Sequence, residues 1–158
     1  MLKRIGVAMP QKKRKHAVIT ADSDYTQFLK SIEPITISLI NSRFRVDRDQ
    51  YFTEKQKKLS INWSCVPKET GDDYFEANAE VVVRLGSLIG GKFKPSVEIN
   101  ATFEMHLHAS KPIDPALVKR FADGEVKIMI WPYFREYVSS VSGRMHIPPL
   151  LLPFGTRN

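Results

Sequence analysis

Two stretches of strict alternation constrain this chain more than anything else in it. Phe75, Ala77, Ala79, Val81, Val83 and Leu85 interleave with Glu76, Asn78, Glu80 and Arg84. Val97, Ile99, Ala101, Phe103, Met105 and Leu107 oppose Glu98, Asn100, Thr102, Glu104, His106 and His108. A period of two sustained this long predicts strands of an antiparallel sheet with one dry face and one wet face. Leu59, Ile61, Trp63 and Cys65 repeat the pattern against Ser60, Asn62 and Ser64. Gly71 with Asp72, and Gly90 with Gly91, supply the turns. The stretch from Gly86 to Gly91 (GSLIGG) lacks the helix context of a phosphate loop and reads as a hairpin turn. A fourth strand is expected from Ile35 to Val46. Ile35, Ile37 and Leu39 share one parity, while Phe44 and Val46 fall on the other, so a bulge or bend belongs between Ile40 and Ser42.

A sheet with one dry face needs a cover, and the C-terminal third provides one. Asp114 caps a short helix with Pro115 in its first turn; Leu117 and Phe121 form its apolar side and Gly124 ends it. A long helix then runs from Glu125 to about Ser142. Ile130, Phe134, Val138 and Val141 make one stripe, with Tyr133 and Tyr137 in a neighbouring row. Its eighteen or so residues span about 27 Å, enough to cross a four-stranded sheet. Pro132 either kinks this helix or begins it. Gly143 fits the left-handed position just past a helix end, and Pro148 and Pro149 prevent any resumption. The fold class is therefore α+β, a four-stranded antiparallel sheet packed on a long C-terminal helix plus a short one. Near the N-terminus, one or two helical turns are expected from Ser23 to Ile32, capped by Asp22 or Ser23 and ended by Pro34. Asp47 to Lys58 reads as a long charged connection in which Tyr51 and Phe52 either pin the loop to the core or line a binding surface.

Length sets one domain with a real core, since 158 residues are too few for two comfortable ones. The net charge of +7 is localised. Lys3, Arg4, Lys12, Lys13, Arg14 and Lys15 are six of 24 basic residues, and the 18 left nearly balance the 17 acids. Residues 1–20 are accordingly read as a basic flexible arm, and 21–158 as the single domain. With one cysteine there is no intramolecular disulfide. No run approaches a membrane span, and the charged N-terminus lacks the apolar segment of a secretory leader, so a cytoplasmic setting is expected.

Candidate chemistry is sparse. His106 and His108 form an H-x-H pair on the wet face of one strand, beside Glu104 and Glu98, but no third ligand has metal-site spacing; the pair reads as polar sheet surface. No metal or cofactor is expected. Cys65 alternates with Trp63 and Ile61 on the dry face and reads as a structural thiol. No nucleophile has a base beside it and no carboxylates are paired for catalysis, so the chain is not read as an enzyme. What stands out is a surplus of apolar residues. Leu150, Leu151 and Leu152 are consecutive and cannot all point inward in one extended conformation. The segment from Ile147 onward is either a packed strap or an exposed surface for association.

The stretch Trp131 to Pro153 (WPYFREYVSSVSGRMHIPPLLLP) resembles the signature of the SecB-type export chaperones and their SecB-like relatives. The matching positions are Trp131, Pro132, Tyr133, Arg135, Glu136, Gly143, Arg144, Pro148, Pro149, Leu150 and Leu152. The Arg135-Glu136-Tyr137 run and the proline doublet are most similar to the solitary SecB-like chaperones that accompany toxin–antitoxin systems. The resemblance implies an ATP-independent holdase that binds unfolded chains, preproteins or antitoxins, in long apolar grooves, and a homotetramer built as a dimer of dimers. Tyr51, Phe52, Tyr133, Tyr137, Ile147, Pro148, Leu150, Leu151 and Leu152 are the expected polypeptide-binding residues. Pro132, Phe134, Arg135, Glu136, Val138 and Val141 are the expected oligomer interface.

The chain departs from the export chaperones in ending four residues after Phe154, where they continue into a further helix and an acidic tail. In the export relatives an acidic sheet face docks the translocase motor. Here Glu76, Glu80, Glu98 and Glu104 are interrupted by Arg84, His106 and His108, which leaves docking open. The competing reading is a nucleic-acid-associated module that uses the basic arm.

Overall fold

The structure is a computed structural model and describes residues 14–153, with side chains from residue 23 onward. In chain order the elements are α1 (Arg14–Ser31), β1 (Ile32–Val46), α2 (Arg48–Thr53), β2 (Lys58–Thr70), β3 (Tyr74–Ile89), β4 (Lys92–Ala109), α3 (Pro115–Asp123) and α4 (Glu125–Arg144). The strands form one antiparallel sheet in the order β1-β4-β3-β2. The alternating stretches are its two central strands. β3 pairs with β4 from Tyr74↔His108 to Ile89↔Lys92, closed by Gly90 and Gly91 at φ 59° and 79°. Two successive positive φ values are the turn geometry that matches strand twist, and glycine adopts it without strain. The turn is thus shorter than GSLIGG, because Gly86 to Ile89 continue the strand. Gly86 is required for a different reason: a Cβ there would lie 2.1 Å from the Lys94 carbonyl oxygen.

The predicted phase change in β1 is present as a register shift between Leu39 and Asn41, and a second shift falls between Pro34 and Thr36. Each leaves one residue, Ile35 or Ile40, unpaired on an edge strand. The dry face carries the core. Phe75, Val81, Val83, Val97, Ile99, Met105 and Leu107 are buried beneath Val118 and Phe121 of α3 and Val126, Ile130, Phe134 and Val138 of α4. Phe28 of α1, Phe75 and Phe121 meet with ring centroids 5.6–6.3 Å apart, joining α1 and α3 to β3.

Three local expectations are corrected, and the alternative left open at Pro132 is decided. The N-terminal helix is longer than one or two turns: it begins by Arg14, inside the stretch read as arm, and ends at Ser31 before Pro34. The rest of the arm, with Lys3, Arg4, Lys12 and Lys13, lies outside the described residues. The connection after β1 holds α2, whose N-cap Asp47 accepts a hydrogen bond from the Gln50 amide at 3.0 Å. Pro132 is inside α4 rather than at its start. It sits on the exposed side of the helix, where the Ile128 carbonyl it leaves unbonded can reach water.

Gly143 is helical, and the left-handed residue is His146 at φ 55°. The His146 amide donates to the Gly143 carbonyl at 3.1 Å and the Ile147 amide to that of Ser142 at 3.3 Å. These two bonds are the Schellman pair, with Met145 as C-cap and His146 where glycine is usual. Ile147, buried just beyond, supplies the apolar contact that accompanies the motif. Because an L-residue is strained at this φ, His146→Gly is expected to raise unfolding stability by about 1 kcal/mol. Denaturant midpoints at unchanged slope would show it, and a loss of stability would mean that the imidazole makes a compensating contact.

Candidate polypeptide-binding surface

The helices do not cover the sheet evenly. α3 packs on β2, and α4 packs on β3 and β4. Cross-strand partners share a face, so Leu39 opposite Phe103 and Phe44 opposite Ile99 lie on the dry side of β1. Their partners are buried, yet Leu39 and Phe44 are 43% and 41% exposed. The unpaired Ile35 and Ile40 are exposed as well. At the start of β1 this uncovered strip meets a cavity of about 230 Å³ lined by Leu29, Ile32, Pro34, Leu107, Phe121 and Ile128, among others. Ile128 stands at its edge, 73% exposed. Glu125, the acidic member of the lining, accepts a hydrogen bond from Tyr25. Burial first, and then that bond and its charge, push the Tyr25 phenol well above its usual pKa, against the pull of Arg120.

A second apolar area surrounds the tip of the β3–β4 hairpin, which projects beyond β1 and β2. Leu88 and Phe93 are paired there, and both are exposed along with Ile89. α2 lies against this hairpin and presents Phe52, 59% exposed, while Tyr51 turns into the core with its ring edge-on at 5.2 Å. Glu54 holds the arrangement. Its carboxylate accepts from Ser87 Oγ at 3.0 Å, Ser96 Oγ at 2.8 Å and Gln50 Nε2 at 2.6 Å. Partial burial raises the Glu54 pKa, but these hydrogen bonds outweigh it and hold the carboxyl below its usual range.

The segment after α4 is a strap fixed by signature residues. Trp131 Nε1 donates to the Pro153 carbonyl at 3.0 Å, Arg135 Nε to that of Leu152 at 3.1 Å, and the Leu150 amide to Ser142 Oγ at 3.2 Å. The three leucines resolve as the period of two requires: Leu152 is buried, Leu150 is half-buried and Leu151 is 83% exposed. Of the residues expected to bind polypeptide, Phe52, Tyr133, Pro148 and Leu151 are exposed, and Tyr137 and Leu150 are half-buried. Tyr51, Ile147 and Leu152 fill the chain's own core. At the expected oligomer interface, Phe134, Val138 and Val141 are likewise core, because they form the stripe that covers the sheet; Pro132 and Glu136 face outward with Arg135 between. Ile35, Leu39, Ile40, Phe44 and Ile128 were not expected at a site. For the first four the signal in the sequence was β1 itself, which carries apolar residues on both parities; Ile128 lies in α4, off its core stripe.

Cys65 is structural. Burial and then the Asp123 charge push the Cys65 thiol up to about 11, so it is a poor nucleophile. Each of Glu76, Glu80, Glu98 and Glu104 has a partner in its own sheet. Glu98 pairs with Arg84 at 2.5 Å, Glu80 accepts from Asn100 at 2.7 Å, and Glu76 and Glu104 flank His106. Among the described residues no helix is long and apolar enough to cross a membrane.

No family model matches the chain, and no curated protein matches it in sequence. Solved structures do match. The SecB-like chaperone Rv1957 of Mycobacterium tuberculosis, in complex with a ChAD peptide from the Rv1956 HigA1 antitoxin, superposes with a TM-score of 0.60 at 18% identity, covering 85% of this chain and 99% of that one. The fold is SecB-like. A protein of unknown function from Streptococcus agalactiae matches at a TM-score of 0.42 and 8% identity, covering 78% of this chain and 97% of that one.

The Glu54 clamp predicts a pH response. A carboxyl held below its unfolded pKa stabilises the fold above that pKa and loses the contribution as pH falls through the folded value. Glu54→Ala leaves the Ser87 and Ser96 hydroxyls and the Gln50 amide to find other partners and is expected to cost about 1–3 kcal/mol at pH 7. The deficit should shrink on acidification below pH 4, as the native carboxyl protonates. Unfolding curves at pH 7 and pH 3 measure both; an equal deficit at the two values would contradict the clamp.

Proposed function

We propose that this chain is an ATP-independent chaperone that holds unfolded polypeptides on the apolar surface left uncovered by its helices. The observation that carries the reading is the dry side of β1, where Leu39 and Phe44 stand exposed beside buried partners and lead into the cavity under Ile128. A folded chain rarely leaves the inner face of its own sheet open without something to put there. An extended client laid along this strip, with Phe52, Tyr133 and Leu151 as outlying contacts, would bury apolar area worth roughly 25 cal/mol per Å² without demanding a sequence. The SecB-like fold, seen in a chaperone bound to an antitoxin peptide, supports a polypeptide ligand.

Assembly is part of the proposal. The outer edge of β1 offers unpaired backbone groups, and Pro132, Arg135 and Glu136 lie toward the outside of α4. We place the subunit contacts of a cytoplasmic homotetramer on these two features. Several client strips in one assembly would bind a long chain with avidity. The wet-face glutamates are compensated within the sheet, and this favours a dedicated client such as an antitoxin over docking to a translocase motor.

The purified chain is expected to suppress aggregation of a denatured test protein without nucleotide and to run as a tetramer in light scattering. Leu39→Ser or Leu151→Ser should weaken capture of an unfolded client by about tenfold, the loss from one exposed leucine contact of 1–2 kcal/mol. A monomer that leaves aggregation unchanged at several-fold excess would sink the reading.

A further inference from the structure

His106 has a carboxylate against each ring nitrogen. Glu76 Oε1 lies 3.1 Å from Nδ1 and Glu104 Oε1 lies 3.1 Å from Nε2. Ionised carboxylates only accept hydrogen bonds, and a neutral imidazole carries a single N–H. One of the two contacts therefore sets a ring lone pair against a carboxylate oxygen, unless a cation lies in it. That cation is either a second proton or a metal ion. The three side chains can each bring one ligand atom within 4.8 Å of the others.

A separate observation distinguishes the two. Asn78 is the ladder partner of Glu104 and shares the wet face of β3 with Glu76. Its Oδ1 is buried and has no hydrogen-bond partner. A buried acceptor without a donor is costly, and the cost is removed by a cation. A second proton on the imidazole would give each carboxylate its own N–H donor and offer nothing to Asn78. A metal ion on the Glu104 side of the ring would serve all three groups.

We propose that His106 Nε2, Glu104 and Asn78 Oδ1 bind a first-row divalent cation of the zinc class, with water completing the shell. Glu76 accepts the Nδ1–H and so fixes the tautomer that presents Nε2 to the metal, the usual carboxylate–histidine–metal arrangement. The mixed nitrogen and oxygen donors suit zinc, nickel or copper(II) rather than magnesium or calcium, which take oxygen alone. Lys68 Nζ, 3.5 Å from Glu104 Oε2, neutralises part of the site's charge and leaves Oε1 toward the ring. The H-x-H spacing is not the basis of the site. His108 Nε2 is directed to Asp73 Oδ2 at 3.8 Å, and the third and fourth groups come from the neighbouring strand. The site lies on the wet face, apart from the apolar strip.

Calorimetric titration of the full, metal-stripped chain with zinc chloride tests the assignment. One saturable ion per chain is expected, with no comparable binding of magnesium. His106→Ala should abolish it, Glu104→Gln should weaken it at least tenfold, and Glu76→Gln should weaken it by about 10–100-fold as an orienting residue. His108→Ala should leave it unchanged. Zinc should also shift the ring-proton resonances of His106 in NMR spectra, a readout independent of affinity. Absence of saturable binding, or binding that persists in His106→Ala, overturns the proposal.

Discussion

The rest of the structure depends on how the dry face of β3 and β4 is covered. Their alternating side chains form a surface that cannot face water, and the chain has α3 and α4 to lay over it. A long helix across β3 and β4, with a short one over β2, leaves the far edge open. That edge is β1, and its Leu39 and Phe44 are exposed because the cover ends before it reaches them. The apolar strip is a consequence of placement: α3 lies over β2 and α4 over β3 and β4, and the cover stops short of β1.

The same cover explains the signature after Trp131. Once Phe134, Val138 and Val141 are committed to the sheet, the helix needs a stop that returns the chain across its flank. The Schellman pair at His146 and Ile147 makes the turn. Trp131, Arg135 and Ser142 then receive the strap through their polar atoms. Aromatic, arginine and small polar residue are spaced along one side of α4 because the strap runs back along that side. The run therefore has a local physical cause, and contact with a client need not be invoked for Trp131 or Leu152.

Parity was the legible part of the sequence. It placed three strands, the bend in the fourth, the Asp114 cap and the core stripe of α4 correctly, because each follows from spacing within one segment. Strand order did not follow. Nothing in Ile35 to Val46 says that it pairs with β4 rather than β2, and without that pairing its exposure on the edge is invisible. The same limitation left the roles of Tyr51 and Phe52 undivided. Their adjacency in a polar stretch identified an aromatic pair, but only the Glu54 clamp against the hairpin decides which ring turns inward. Gly143 and His146 were exchanged for a related reason. Glycine is the better left-handed residue, so it attracted the helix end, but Met145 and Ile147 are the apolar residues whose burial fixes where the helix stops.

In the proposed assembly two partners would compete for β1, and they would use different parts of it. A sister subunit that extends the sheet needs the backbone edge, and a client held by apolar burial needs the dry-side surface of Leu39 and Phe44. The bulges at Ile35 and Ile40 separate these demands. Each interrupts the ladder and bends the strand, which limits how many hydrogen bonds a second β1 can form in register. The same bulges set an additional apolar side chain outside the regular pairing. An edge built this way gives up some pairing strength and gains exposed apolar area. That trade is the one expected of a strand that must serve an assembly and still leave room for a chain that is not part of it.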